Sequence, residues 1–110
     1  MAGYFQLKTA ASGQWMFNLK AGNHETVLTS QNYSSKQAAE AGIESVRKNA
    51  VNDAAFERKV ASDKSPYFVL TAPANGQTLG KSEMYSSTSA MEGGIASVKA
   101  NAPGAAVKEG

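Results

Sequence analysis

Hydrophobic and polar residues alternate in two stretches near the start of the chain, and the same alternation returns about fifty residues later. Phe5 and Leu7 share one face of the first stretch, and Trp15, Phe17 and Leu19 share one face of the second. Alternation with period two in aromatic and branched residues is typical of half-buried strands. Six strands are predicted, at 4–8, 14–20, 25–30, 56–60, 67–71 and 78–82.

Each group of three strands is followed by small and apolar residues at spacings of three and four, which predicts an amphipathic helix. Ser34 and Ser86 are the predicted N-caps, with Gln37 completing a capping box in the first helix. Asn49 and Asn101 are predicted to end the helices in the left-handed conformation. The predicted buried stripes are Ala39, Gly42, Ile43, Val46 and Ala50 in one helix and Met91, Gly94, Ile95, Val98 and Ala102 in the other.

The chain contains an internal repeat. Residues 30–50 and 82–102 agree at 12 of 21 positions, and weaker matches upstream extend the two copies to 3–52 and 54–108. A unit of about 50 residues buries too little surface to be comfortably stable alone. We therefore predict one domain over 1–110, a monomer built as a fused pseudo-dimer. A similar segment follows each helix, so the trailing strand of one half is a candidate to complete the sheet of the other.

These elements predict an α+β fold in which two tandem β3-α-β repeats form one antiparallel sheet with both helices on one face. The other face of the sheet is then open to solvent. It is the candidate binding face, and alternation places on it Tyr4, Gln6, Lys8, Met16, Asn18, Lys20, Glu57, Lys59, Tyr67, Val69 and Thr71. The residues singled out for binding are Tyr4, Lys8, Asn18, Lys20, Lys59 and Tyr67.

The repeated pattern F-x-L…S-x-x-Y-S-S…A-x-E-x-G-I-x-S-V-[KR]-x-N-A resembles the YegP-like family of small bacterial proteins. The resemblance covers nearly the whole chain and rests on residues such as Phe17, Tyr33, Gly42 and Val46, each with its second-half counterpart. It implies tandem repeats that share one sheet with pseudo-twofold symmetry. It implies no activity, and no catalytic or ligand-binding residue is carried over from it.

Composition narrows the possible functions. Eleven Lys and Arg against nine Asp and Glu give a net charge of +2, which argues against a dedicated nucleic-acid or membrane-surface protein. The absence of cysteine excludes disulfides and thiolate sites, and a single histidine argues against a metal site. With no long apolar run and no leader-like segment, we expect a cytoplasmic protein without a metal or cofactor.

Candidate catalytic residues are few. His24 lies in a predicted turn, and its repeat counterpart is Gly76, so the repeat pattern does not require it. Ser45 and Lys48 match the S-x-x-K spacing of some serine acyl enzymes, but Ser97 is followed three residues later by Ala100. No arrangement of a nucleophile, a base and an orienting group is visible. The sequence therefore predicts a protein that is not an enzyme.

Three functions stay open at this point. The first is a structural module, or one that binds a partner such as another protein, through the open sheet face or an edge strand. The second is weak single-stranded nucleic-acid binding through tyrosines and lysines of that face. The third is a small-ligand site at the junction of the repeats, or an anion site at the helix N-termini. The candidate anion-site residues are Ser34, Ser35, Ser86 and Ser87.

Overall fold

The computed structural model describes residues 3–22, 24–72 and 76–109. They form one seven-stranded sheet with two 14-residue helices. The strands are β1 (Tyr4–Thr9), β2 (Trp15–Lys20), β3 (Thr26–Thr29), β4 (Phe56–Val60), β5 (Pro66–Ala72), β6 (Gln77–Lys81) and β7 (Ala106–Glu109), and the helices are α1 (Lys36–Asn49) and α2 (Thr88–Asn101). Short 3-10 turns at Asp53–Ala55 and Ala102–Gly104 follow the helices.

The strand order β4-β5-β6-β3-β2-β1-β7 places the two repeats side by side, related by a pseudo-twofold axis between β3 and β6. Within each repeat the three strands form an antiparallel meander. Among the described residues β3 and β6 share a single ladder pair, Thr29 with Lys81. Each helix also packs against the seam strand of the other repeat, α1 against β6 and α2 against β3.

The strand that follows α2 joins the first repeat. β7 pairs with β1 in parallel, with Ala106 beside Tyr4 and Val107 beside Phe5. Arg47 of α1 supports this strand by donating from Nη2 to the carbonyl oxygen of Ala105 at 2.5 Å. The sheet is therefore antiparallel except at this edge, and the predicted exchange of a trailing strand occurs in one direction.

The core is duplicated in the same way as the sequence. Phe5, Leu7, Phe17 and Leu19 are fully buried beneath the helices, as are Phe68 and Leu70 of the second repeat. Phe5 meets Phe17 edge to face with ring centroids 5.8 Å apart, and Phe56 meets Phe68 at the same separation. Such aromatic pairs stabilise a core beyond the area they bury. The predicted α+β fold and the inward faces of the strands are confirmed.

The recurring tyrosines and helical glycines form a second duplicated contact. The Tyr33 ring stacks on Phe17, and a methyl group at Gly42 would lie 2.8 Å from Tyr33 Cζ. Tyr85 stacks on Phe68, and a methyl group at Gly94 would lie 2.7 Å from Tyr85 Cζ. Glycine is therefore needed at these two helix positions because a tyrosine packs directly on the helix backbone.

The recurring serines before each tyrosine are buried hydrogen-bonding groups. Ser30 Oγ accepts from the backbone N–H of Phe17 at 2.9 Å and donates to the carbonyl oxygen of Gln31 at 2.8 Å. Ser82 makes the equivalent bonds to Phe68 and Glu83, at 3.0 and 2.8 Å. Each hydroxyl thus satisfies a buried strand N–H where the regular ladder ends.

Replacing Ser82 by alanine is expected to lower the free energy of unfolding by about 1–3 kcal/mol, because the buried N–H of Phe68 loses its acceptor. The measurement is urea unfolding monitored by circular dichroism. Ser86→Ala removes an exposed hydroxyl and serves as the matched control, with an expected change within about 0.5 kcal/mol. Equal effects of the two substitutions would contradict this role for Ser82.

Two predictions about the helix ends are wrong. The N-caps are Ser35 and Ser87, whose Oγ atoms accept from Ala38 N and Ala90 N at 3.1 Å, so no capping box forms with Gln37. The cause in the first repeat is a bridge between Trp15 and Tyr33, which keeps the chain extended up to the tyrosine and delays the helix by one residue.

Asn49 and Asn101 also differ from the prediction, since the described non-glycine residues with positive φ are His24 and Lys64. The amide of Asn49 donates to the carbonyl oxygen of Ser45 at 2.9 Å, and Asn101 donates to Ser97 at 2.7 Å. Asn101 Oδ1 also accepts from Gly3 N at 3.0 Å. These side chains bond to the helix itself, so neither helix needs a left-handed end. In the described part of the chain, neither helix is long and apolar enough to cross a membrane.

Candidate functional site

The open face of the sheet lies opposite the two helices and carries the residues predicted for binding in two groups. Tyr4 and Lys8 on β1 and Lys20 on β2 belong to the first repeat, and Lys59 on β4 and Tyr67 on β5 belong to the second. Four strand positions separate β1 from β5, which corresponds to about 19 Å at the usual spacing of about 4.8 Å. The structure thus brings the predicted residues onto one face but not into one cluster.

Two lysines of this face are missing from the sequence prediction. Lys81 on β6 places its Nζ 5.0 Å from the centre of the Tyr67 ring, and Lys108 on β7 places its Nζ 4.5 Å from the centre of the Tyr4 ring. Both are cation–π contacts. Among the described strand residues, the open face therefore carries five lysines and one carboxylate, which is Glu57; the lysines are Lys8, Lys20, Lys59, Lys81 and Lys108.

Ion pairs are concentrated on the helix side of the sheet, whereas among the described residues the open face has one, between Lys59 Nζ and Glu57 at 3.7 Å. Arg58 binds Glu92 through Nε at 2.6 Å and through Nη2 at 3.0 Å, and it contacts Asp53 at 3.3 Å. Lys99 lies 2.7 Å from the same Asp53 carboxylate. Two further ion pairs join Arg47 to Glu44 and Lys36 to Glu109. The net charge of +2 is therefore distributed unevenly, with the excess positive charge concentrated on the open face.

The ion pairs shift the titration of their members. The hydrogen bond from Lys99, followed by that from Arg58, lowers the pKa of Asp53. The hydrogen bond from Arg58 lowers the pKa of Glu92. The hydrogen bond to Glu109 raises the pKa of Lys36, which also lies 5.9 Å from the centre of the Trp15 ring. Asp53 and Glu92 keep their charge, and hence their partners, at pH values where ordinary carboxyl groups begin to protonate.

Asn18 belongs to the open face but is not accessible there. Its side chain is 6% exposed, and its amide Nδ2 donates to Thr29 Oγ1 at 2.9 Å. Lys20 is also engaged, since its Nζ donates to Thr26 Oγ1 at 2.7 Å. Asn18 thus links β2 to β3 within the sheet. Although it was predicted to bind a partner, its buried side chain stabilises the sheet instead.

His24 lies in the turn between β2 and β3 with φ of 70°, close to the 68° of its counterpart Gly76. Its Nδ1 lies 3.0 Å from Tyr4 Oη, and the two rings meet edge to face with centroids 5.8 Å apart. This contact offsets the cost of a left-handed conformation in a residue other than glycine. His24 therefore contacts Tyr4, which lies 20 positions earlier in the chain and was not indicated as its partner by the sequence.

The catalytic candidates stay apart. Ser45 and Lys48 occupy α1, where Ser45 is half-buried and Lys48 is exposed to solvent. Among the described hydrogen bonds none joins Lys48 to Ser45, and the side chain of His24 bonds to Tyr4. Within residues 3–22, 24–72 and 76–109, no cluster of three His, Asp or Glu side chains could hold a metal ion.

The junction of the repeats forms an open groove on the sheet face. Its volume is about 560 Å³, and it follows the seam between β3 and β6. The groove is open to solvent rather than an enclosed pocket, and its lining includes Thr29, Thr78, Lys81, Glu83 and Met84. Two smaller clefts of about 330 and 290 Å³, related by the pseudo-twofold axis, lie between each helix and the seam strand of the other repeat.

The two predicted anion sites lie at the N-termini of α1 and α2. Ser35 and Ser87 use their hydroxyl oxygens as caps, while Ser34 and Ser86 are exposed neighbours. Burial raises the pKa of the Tyr33 and Tyr85 phenols, which precede these serines. No described feature at either terminus points to a bound anion beyond the helix end itself.

Comparison with known proteins gives a consistent result along the whole chain. The profile described as "Domain of unknown function (DUF1508)" matches twice, at residues 10–57 and 61–109. A UPF0339 protein of Bordetella pertussis is 60% identical over 99% of this chain and 96% of its own length. The UPF0339 protein YegP of Escherichia coli K12 is 50% identical over 99% of this chain and 98% of its own length.

Solved structures agree with this assignment. The solution NMR structure of the E. coli protein yegP, described as a protein of unknown function, superposes with a TM-score of 0.93 at 50% identity, covering 99% of this chain and 93% of that one. A UPF0339 protein of Shewanella oneidensis superposes with a TM-score of 0.92 at 44% identity, covering 99% and 92%. The chain therefore belongs to the UPF0339, or YegP-like, family of bacterial proteins of unknown function and carries two copies of its DUF1508 domain.

Proposed function

We propose that the chain is a non-enzymatic binding module whose open sheet face takes an acidic segment of a partner protein. The supporting observation is the separation of charge across the sheet. Among the described strand residues the open face carries five lysines and one carboxylate, with Glu83 at the groove beyond β6, whereas four carboxylates on the helix side are each bound by a lysine or an arginine. A face with excess positive charge attracts an anionic partner and disfavours a cationic one.

The shape of the face supports the same proposal. The groove of about 560 Å³ runs along the seam of the repeats, and Lys81 lines it. Lys20 projects from the strand next to β3, so cations flank the groove on both sides of the seam. An extended acidic peptide could lie in this groove with its carboxylates toward the lysines on either side.

An acidic protein segment fits the face better than a single-stranded nucleic acid. Binding of single strands depends on aromatic rings that are free to stack on bases. The rings of Tyr4 and Tyr67 are already covered by Lys108 and Lys81, and Tyr4 also contacts His24. Bases would have to displace these contacts before they could stack.

Charge reversal of Lys20 and Lys81 to glutamate is expected to weaken binding of a labelled polyglutamate peptide by at least about tenfold, measured by fluorescence anisotropy at low salt. The matched control reverses the exposed Lys48 and Lys64, which changes the net charge equally away from the face. The control should bind as the wild type does.

A labelled single-stranded oligonucleotide of equal charge tests the alternative in the same assay. Tighter binding of the oligonucleotide than of the peptide would replace the protein partner with nucleic acid. Equal losses in the two lysine variants would show that attraction to the whole molecule, rather than this face, causes binding. Affinity capture from a cell lysate with the same variants then identifies the natural partner as a protein lost with Lys20→Glu/Lys81→Glu and retained by the control.

A further inference from the structure

The two edges of the sheet are not equivalent. β7 covers the outer side of β1, but among the described residues no strand covers the outer side of β4. The groups that hold β7 are Tyr4, Lys36 and Arg47. Their counterparts near β4 are Ala55, Thr88 and Lys99, which offer no equivalent contacts to a parallel strand. The β4 edge is thus open, and it is not built to receive a β7 strand.

The backbone of β4 presents unpaired groups along this edge. In β5, Phe68 directs its N–H and C=O toward β6, where Ser82 Oγ accepts from Phe68 N and Ser82 N donates to Phe68 O. Arg58 lies opposite Phe68, and two facing residues of an antiparallel pair turn their backbone groups either toward each other or away from each other. Arg58 therefore turns its N–H and C=O away from β5, and Val60, two residues on, does the same.

We propose that this edge pairs with the β4 strand of a second copy of the chain, antiparallel and centred on Arg58. In that register Arg58 exchanges two backbone hydrogen bonds with its counterpart, and Val60 N donates to the carbonyl oxygen of Phe56 in the other copy. The N–H of Phe56 is already bound to Asp53 O, so it is not left unpaired. The exposed Val60 side chain, 68% accessible in the single chain, comes to lie beside Phe56.

The side chains of β4 are self-complementary in this register. Glu57 faces Lys59 of the other copy twice, at positions where an antiparallel pair brings side chains closest. The two Arg58 side chains meet at the axis with their charge already balanced by Glu92 and Asp53. Charged edge strands usually prevent pairing, but here a shift of two residues in either direction places Glu57 or Lys59 opposite its own counterpart, whereas the centred register pairs each with the opposite charge.

The edge of β7 lacks this property. Facing residues in antiparallel self-pairing are both odd-numbered or both even-numbered, so a register centred on Val107 places Ala106 opposite Lys108, and one centred on Lys108 places Val107 opposite Glu109. No acid would then face a base. The charge pattern thus selects β4 over β7, and a twofold contact of one short strand closes as a dimer rather than a fibre. With two five-residue strands the contact is small, so we expect weak association that leaves the dilute protein monomeric.

Sedimentation velocity of the full chain between about 10 µM and about 1 mM tests the proposal. We expect the wild type to shift toward the mass of a dimer as its concentration rises. Lys59→Glu and Glu57→Lys alone each weaken dimerisation by about tenfold or more, because like charges then face each other twice. The double exchange Glu57→Lys/Lys59→Glu restores it to within about threefold of the wild type.

Lys48→Glu on α1 is the control and should dimerise as the wild type does. Thermal unfolding by circular dichroism verifies that all variants are folded at the temperature of the measurement. A wild type that stays monomeric at the highest concentration, or single reversals that dimerise normally, would overturn the proposal. Growth beyond a dimer would also overturn it, because that result indicates a contact between unlike edges.

Discussion

Phe68→Ala is expected to lower the free energy of unfolding by about 3–5 kcal/mol and to shift the unfolding of both repeats together. Phe68 is fully buried and meets Phe56 and Tyr85, so its removal leaves a large cavity that neighbours fill only in part. Trp15, the single tryptophan, belongs to the first repeat and reports on it separately. If the chain is one cooperative unit, tryptophan fluorescence and circular dichroism follow the same shifted transition in urea.

Val60→Ala is the control for this prediction, since it removes an exposed side chain from the same repeat and should change stability by less than about 0.5 kcal/mol. A fluorescence transition unmoved by Phe68→Ala, beside a biphasic circular dichroism curve, would show that the repeats unfold independently. That result would contradict the prediction of a single domain over 1–110, and with it the expectation that neither half is stable on its own.

Neighbouring glycines of α2 are expected to respond to alanine with opposite signs. At Gly94 the added methyl carbon would lie 2.7 Å from Cζ of the Tyr85 ring, which is a collision, and would press on Phe68 Cε2 at 3.2 Å. Overpacking of this kind costs about 1–3 kcal/mol. Gly93 has open space around it, so Gly93→Ala gains the helix propensity of alanine, about 1 kcal/mol, without a collision.

Urea unfolding of the two variants measures this difference directly, and Gly42→Ala should behave like Gly94→Ala because Tyr33 packs on Gly42 in the same way. The duplicated tyrosine–glycine contact explains why both residues recur in the repeat. Stabilisation by Gly94→Ala would show that the tyrosine moves aside at little cost, and that the recurrence has another cause.

The sequence was sufficient to predict those parts of the fold in which apolar and polar residues alternate regularly along a strand. Alternation placed Phe5, Leu7, Phe17 and Leu19 in the core, and the repeat implied that their counterparts lie there too. The predicted bounds of β4, 56–60, match the observed strand. The family resemblance and the comparisons lead to the same duplicated α+β fold.

The sequence was insufficient to predict which residues share a face where the alternation or the strand pairing is irregular. The pairing between β5 and β6 shifts register beside Thr71, and as a result Thr78 and Lys81 share the open face although they are three residues apart. Strict alternation cannot place both, which is why Lys81 was missed. Lys108 was missed for a different reason: β7 pairs with a strand at the opposite end of the chain, and a short exposed strand carries too few residues to indicate its neighbour.

The helix starts show a similar limit at the scale of one residue. Both Ser34 and Ser35 are good N-cap residues, so intrinsic preference does not distinguish them. The bridge between Trp15 and Tyr33 decides between them, and it depends on the tertiary fold. The same holds for Asn49, whose side chain bonds to Ser45 within the helix instead of supporting a left-handed turn.

The seam between β3 and β6 has a consequence for how the family can diverge. With one ladder pair described between these strands, Thr29 with Lys81, the halves are joined chiefly by interlocking side chains, such as Leu28 against the space left by Gly80. A backbone ladder tolerates almost any residue, but interlocking side chains must be matched. Chimeras that combine the front half of one homologue with the back half of another would therefore measure how far the two halves have co-evolved as a fitted pair.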